Sequence, residues 1–167
     1  MGKVVTLEEA LSKAAKLRAK GGRIVFTNGI FDLVHIGHIE YLEQARRLGD
    51  ALFVGINSDE SARRLKGPGR PIIPQEERAH IIAALGCVDY VIIFGEDTAH
   101  AVLEALQPEV YVKGGDYTLQ NLPEASVVKG YGGEVVILPY RKGRSSSQII
   151  EIILTRFSRH ASGDRSL

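Results

Sequence analysis

Cysteine is almost absent from the chain: Cys87 is the only one in 167 residues. No disulfide can close within it, and a cysteine-rich zinc cluster is excluded. Long apolar runs are missing too. No stretch approaches the roughly 18 residues that a membrane span needs. Met1 to Lys20 shows neither an apolar signal core nor a cleavage pattern. Nor is one sign of charge in excess, since 21 Lys and Arg face 20 Asp and Glu for a net +1. Nucleic-acid and membrane-surface partners usually demand a positive excess, so neither is expected. The expected setting is a reducing cytoplasm. Two nucleotide motifs are also lacking. There is no G-x-x-x-x-G-K-[ST], and no G-x-G-x-x-G follows the first strand-like run. This argues against a P-loop kinase and a dinucleotide oxidoreductase.

What remains is an ordinary soluble composition, 44% hydrophobic and 25% charged, in a length that suits one domain. Thr6-Leu7-Glu8-Glu9 fits a capping box, and Leu7, Ala10, Leu11, Ala14 and Leu17 continue it at helical spacing until Gly21-Gly22. Short β-branched runs follow at Arg23 to Thr27, Ala51 to Asn57, Tyr90 to Phe94, Glu109 to Lys113 and Glu134 to Leu138. Helical stretches separate them, near Gly37 to Leu48, Ser58 to Leu65, Pro74 to Leu85, Thr98 to Leu106 and Pro123 to Lys129. A last helix is expected from about Ser145 to Phe157. Strands that alternate with helices and are nearly all apolar predict a parallel sheet covered on both faces. The expected fold is therefore α/β, a Rossmann-like three-layer α/β/α domain with a five-stranded parallel sheet. The first and last helices would frame it. Residues 1–157 form the expected single domain, and 158–167 a polar tail.

Ligands of such sheets sit beyond the carboxyl ends of the strands. Those ends are polar, glycine-bearing or basic here, which favours an anionic ligand. After strand one, Asn28-Gly29 can turn the chain and present the amides of Ile30 and Phe31 to a phosphate. His35 and His38 stand three apart across a helix start, so both imidazoles can face one point at the positive end of the helix dipole. Two such donors can stabilise charge on phosphorus during displacement. A zinc site is not the reading, since no further ligands stand at the usual spacing. His80, His100 and His160 read as ordinary structural residues.

Gly143-Arg144-Ser145-Ser146-Ser147 opens the last helix, where hydroxyls and unbonded N–H groups make a second phosphate seat and Arg144 adds a fork. Simple capping by Ser145 is the plainer alternative. The long loop Lys66 to Pro71 is a functional candidate. Its Lys66 and Arg70 are either solvated charges or clamps opposite a phosphate. Asp116, after Gly114-Gly115, is either a turn residue or a ligand contact.

These residues resemble a known family. His35-Ile36-Gly37-His38 is similar to the HxGH motif of the nucleotidylyltransferase superfamily, and Gly29-Ile30-Phe31-Asp32 to its phosphate loop. Asn57-Ser58-Asp59, Val88-Asp89-Tyr90-Val91 and Gly143 to Ser147 resemble the glycerol-phosphate cytidylyltransferase branch. Arg64 to Pro71, Val112 to Tyr117 and Gly132 to Val136 resemble more closely the heptose 1-phosphate adenylyltransferase half of ADP-heptose synthases. The resemblance covers about residues 5 to 157 and includes no sugar-kinase half. It implies AMP transfer from ATP, with Mg²⁺, to a heptose 1-phosphate in the assembly of lipopolysaccharide core sugars. It implies catalytic roles for His35, His38 and Lys66. Gly29, Ile30, Phe31, Lys113, Asp116, Arg144, Ser145 and Ser146 would then bind nucleotide beside the two histidines. Asp32, Asn57, Lys66 and Arg70 would contact substrate, and Arg78 is either a phosphate ligand or a helix-surface residue. The resemblance leaves oligomeric state open, homodimers being common in the family. The rival readings are a cytidylyltransferase for glycerol 3-phosphate or another polyol phosphate, and a nucleotide-binding module without turnover.

Overall fold

Thr6 starts the first helix as its spacing predicts. Its Oγ1 accepts the Glu9 N–H at 3.2 Å, while Glu9 Oε2 accepts the Thr6 N–H at 2.9 Å. Helix α1 (Leu7–Arg18) then lays Ala10 and Ala14, both fully buried, against the sheet. The computed structural model describes residues 1–115, 117–139 and 145–161. Among these, the strands are β1 (Lys3–Val4), β2 (Ile24–Gly29), β3 (Ala51–Asn57), β4 (Tyr90–Phe94), β5 (Val110–Gly114) and β6 (Glu134–Leu138). They form one parallel sheet in the order β1-β4-β3-β2-β5-β6. The remaining helices are α2 (Ile36–Arg46), α3 (Asp59–Lys66), α4 (Gln75–Ala83), α5 (His100–Leu106), α6 (Ala125–Gly130) and α7 (Ser146–Ala161).

The central strands show why both faces must be covered. Every residue of β3 is buried. Its Ala51 and Phe53 join Ile24 and Phe26 in a core with α1, α5 and α6, whereas Leu52, Val54 and Ile56 join Val25 in a core with α2 and α4. Alternate side chains thus feed two opposite cores, each large apolar group contributing ~1.5–3 kcal/mol by burial. Gly55 is small because its neighbours need the room: a Cβ there would meet the Phe26 ring at 2.8 Å and the Phe94 ring at 3.1 Å. The strand order reverses at β2, so a crevice opens between the carboxyl ends of β2 and β5.

Two expectations need correction. The sheet has six strands rather than five, because Lys3–Val4 adds to the edge of β4, and two residues are too few to show any periodicity. The last helix does not frame the sheet. From Glu151 to Ser158 every residue of α7 is exposed, Ile152, Ile153, Leu154 and Phe157 included. An apolar stripe shows that a helix has something to bury, not what it is buried against. The helix also runs to Ala161, past the expected boundary at 157.

Candidate active site

Two residues in the turn after β2 adopt left-handed backbone, Phe31 at φ 51° and Leu33 at φ 49°. Such conformations are strained for side-chain-bearing residues and persist where surrounding contacts hold them. Here the Phe31 ring is buried, edge-on to His38 with centroids 5.4 Å apart. The chain then enters α2 with His35 as its N-cap. His35 Nδ1 accepts the Gly37 N–H at 3.2 Å, and His38 Nδ1 accepts the His35 N–H at 3.4 Å. An imidazole nitrogen that accepts carries no proton, so both neutral rings carry theirs on Nε2. The rings stack with centroids 4.0 Å apart. Burial, and next the His35 ring, push the His38 pKa down to about 4, against a smaller pull upward from Asp32. At neutral pH His38 is therefore an uncharged hydrogen-bond donor.

Both histidines line a cleft of about 620 Å³ at the strand-order reversal. Gly29, Ile30, Phe31 and Asp32 form one wall, and Lys66, the last residue of α3, and Arg70, in the loop beyond it, line the cleft as well. Ser145, Ser146 and Ser147 close the third side, and Lys113 lies on the floor. Asn57 lines it too. The expected residues that fall within the described part of the chain thus converge on one site. Asp116 and Arg144 lie outside the described residues.

Within the cleft, some residues bind one another. Asp32, buried, accepts from Arg70 Nε at 2.7 Å and from the amides of Ile72 at 2.9 Å and Ile73 at 3.0 Å. Burial alone would raise its pKa, but these donors outweigh it and hold the carboxylate below its ordinary value. Asp32 thus ties the loop after α3 to the turn after β2 while lining the cleft. Its carbonyl oxygen also accepts the Ser146 hydroxyl, bringing in the start of α7. Ser145 Oγ accepts the Gln148 N–H at 3.2 Å, the capping alternative, yet the Ser146 and Ser147 amides have no partner among the described residues. Asn57 likewise has structural bonds, giving Nδ2 to Ser61 Oγ at 3.0 Å and to Glu96 O at 3.3 Å. Lys66 and the Nη groups of Arg70 have no partner among the described residues.

Arg78 follows neither expectation. It is fully buried and donates to four acceptors: Ile73 O at 2.8 Å, Ile30 O at 2.5 Å, Asn57 O at 3.0 Å and Asp59 Oδ1 at 2.7 Å. It clamps the backs of three cleft loops. Its helix, Gln-Glu-Glu-Arg-Ala-His, reads as polar surface, so no local signal could have found it.

On the floor, sequence reasoning named Lys113 but missed its partners. Asn28 Oδ1 accepts from Tyr111 Oη at 2.7 Å and Lys113 Nζ at 3.2 Å, which leaves Asn28 Nδ2 as the donor on the cleft side. Burial lowers the Lys113 pKa, while the nearby Glu124 carboxylate favours its charge. Tyr117, Asn121, Thr98 and Glu124 complete this end. His80 and His100 bond locally, to Glu76 O at 2.8 Å and Thr98 Oγ1 at 2.7 Å, as structural residues do.

A cleft at the reversal of a parallel sheet, with paired imidazoles and open amides at a helix start, is chemically suited to phosphate. The chain belongs to the cytidylyltransferase-like family, whose family model matches residues 26–152. It is 53% identical over 155 residues, 93% of its length, to the bifunctional protein HldE of Geobacter sulfurreducens, and 51% identical over 154 residues to that of Syntrophotalea carbinolica. It spans about a third of the length of these relatives, 32% and 31% respectively. A solved structure, the lipopolysaccharide core biosynthesis protein from Thermoplasma volcanium, is 30% identical and superposes with a TM-score of 0.60. That match covers 74% of this chain and all of the other. The resemblance seen in the sequence to the nucleotidylyltransferase superfamily therefore holds.

Proposed function

We propose that the chain transfers AMP from ATP to a heptose 1-phosphate, releasing pyrophosphate and ADP-heptose. The observation that carries this is the stacked His35–His38 pair at the start of α2, both residues lining the cleft. A phosphate oxygen of the sugar 1-phosphate attacks the α-phosphorus of ATP. A new P–O bond forms as the bond to the β-phosphate oxygen breaks, and pyrophosphate carries the electron pair away. No covalent intermediate on the protein is required, so positioning and charge stabilisation supply the catalysis. Neutral imidazoles suit that work: they donate to the charge that develops on the α-phosphate without trapping the product as a fixed cation would. The Ser146 and Ser147 amides, at the positive end of α7, seat the leaving phosphates, and Lys66 closes on them from the opposite wall.

Mg²⁺ fits this arrangement as a passenger on the triphosphate. Among the described residues no cluster of three His, Cys, Asp or Glu stands ready to hold a metal, and Asp32 is taken by Arg70 and two amides. Mg²⁺ commonly binds through substrate phosphates and retained waters, neutralising charge on the oxygens it touches. Among the described residues no helix is long and apolar enough to cross a membrane. Use of ATP and a phosphosugar assigns the reaction to the cytoplasm, and the name of the Thermoplasma neighbour supports a product destined for lipopolysaccharide core.

The test is pyrophosphate release with each nucleoside triphosphate against a panel of sugar and polyol phosphates. ATP with a heptose 1-phosphate is expected to be turned over fastest. Equal or better turnover of CTP with glycerol 3-phosphate would replace this reading with the cytidylyltransferase one.

A further inference from the structure

The cleft has two chemically different ends. At the start of α2 it carries His35 and His38, and from the end of α3 Lys66, all suited to phosphate. On the face covered by α5 and α6 it carries Glu124, a carboxylate that would repel phosphate. Glu124 is 5% exposed and lines the cleft. It stands at the N-cap of α6 yet makes no capping bond, and no described residue gives it a hydrogen bond or an ion pair. Its oxygens are not sealed in, since among the described residues the only side-chain polar atom both sealed and unbonded is Tyr131 Oη. Some access thus remains at its carboxylate oxygens, and the residue lines the cleft. The nearby Lys113 gives its Nζ proton to Asn28 Oδ1. A buried carboxylate without donors is costly in the free protein, and that cost is offset when a ligand brings donors to it.

We propose that Glu124 accepts hydrogen bonds from hydroxyl groups of a substrate sugar ring held at this end of the cleft, with Asn28 Nδ2 as the companion donor. The ligand chemistry is a neutral polyol ring. Two substrates of the proposed reaction carry one, the ribose of ATP and the sugar of the acceptor. This deepens the reading above and rests on it for the second source only.

The experiment compares wild type with Glu124→Gln and Glu124→Ala. Calorimetry measures binding of ATP, 2′-deoxy-ATP and 3′-deoxy-ATP, and steady-state kinetics measures KM and kcat for whichever sugar phosphate is turned over. Loss of a hydrogen bond to a charged acceptor is expected to weaken the affected substrate by ~10–100-fold, more in Ala than in Gln. kcat is expected to stay within about threefold, because uniform binding rather than transition-state stabilisation is lost. If ribose is the ring, wild type discriminates against a deoxy analogue and both variants lose that discrimination. If the acceptor is the ring, its KM rises while ATP binding holds. Thermal stability separates this from a structural role: removing an unpartnered buried charge leaves Tm unchanged or raises it. Folded variants with wild-type ATP binding, wild-type deoxy discrimination and an unchanged acceptor KM would overturn the proposal, as would a Tm lowered by several degrees. Should no acceptor be turned over, the reading of the reaction fails while the ATP measurements still decide the role of Glu124.

Discussion

His38 carries two consequences that a single residue can test. As a neutral Nε2–H donor to a developing phosphate charge, it is expected to contribute about 10²-fold or more to kcat. His38→Ala should show that loss in steady-state kinetics while keeping its far-UV spectrum, and a near-wild-type kcat would remove the residue from the machinery. The second consequence is for stability. The folded pKa of about 4 lies below the ordinary histidine value of 6.5, so between these values the unfolded chain binds the proton and the folded chain does not. Stability from this group is therefore complete above about pH 6.5, falls as pH drops toward 4, and changes no further below that. The loss amounts to ~3 kcal/mol at most. Urea titrations across pH 4 to 7 should show that slope in wild type, and His38→Gln should flatten it.

Among elements, the strands were legible and the clamps were not. Ala51 to Asn57, Tyr90 to Phe94 and Glu134 to Leu138 have the same bounds in structure and sequence, since a strand buried on both faces is written as an apolar run. The cleft residues were legible for a related reason: they sit directly at strand and helix ends, where position alone predicts the ligand side. Arg78 acts through partners brought from elsewhere in the chain, and Glu124 reaches the cleft only through the fold, so nothing beside them in sequence marks either. Arg78 is the sharper case. Arg78→Met keeps the bulk but strips donors from three loop carbonyls and Asp59, an expected cost of ~3–5 kcal/mol by chemical denaturation. A cost below ~1 kcal/mol would mean water replaces the guanidinium without loss. The loop from Lys66 gives a prediction of another kind. It is held to Asp32 through Arg70 and two amides, and on the proposed function Lys66, just before it, would meet the β- and γ-phosphates. Lys66→Ala should weaken ATP by ~1.5–3 kcal/mol and AMP far less, because AMP lacks the phosphates being clamped. Equal weakening of both nucleotides, measured by calorimetry, would reduce the loop to a solvated turn.

At the scale of the whole molecule, a net charge of +1 has to be reconciled with the polyanionic substrates proposed for it. The attraction is local: Lys66 stands in the cleft beside open amides, while Asp32 is screened by Arg70 and Glu124 stands on the opposite face. On the proposed function a bound triphosphate would be a cross-brace, since α2 follows β2, Lys66 follows β3, and α7 reaches the site through its first turn. A ligand that touches all three should stabilise the fold by mass action. At about a hundredfold excess over Kd the gain is ~2.7 kcal/mol, or roughly 5–10 °C in Tm for a chain of this size. ATP with Mg²⁺ is expected to give that shift in a thermal melt, and AMP at the same concentration a smaller one. In Lys66→Ala the ATP shift should shrink toward the AMP value, because one strut of the brace is gone. Equal shifts from ATP and AMP in wild type would mean that the β- and γ-phosphates hang in solvent, and the seat at the start of α7 would lose its assignment.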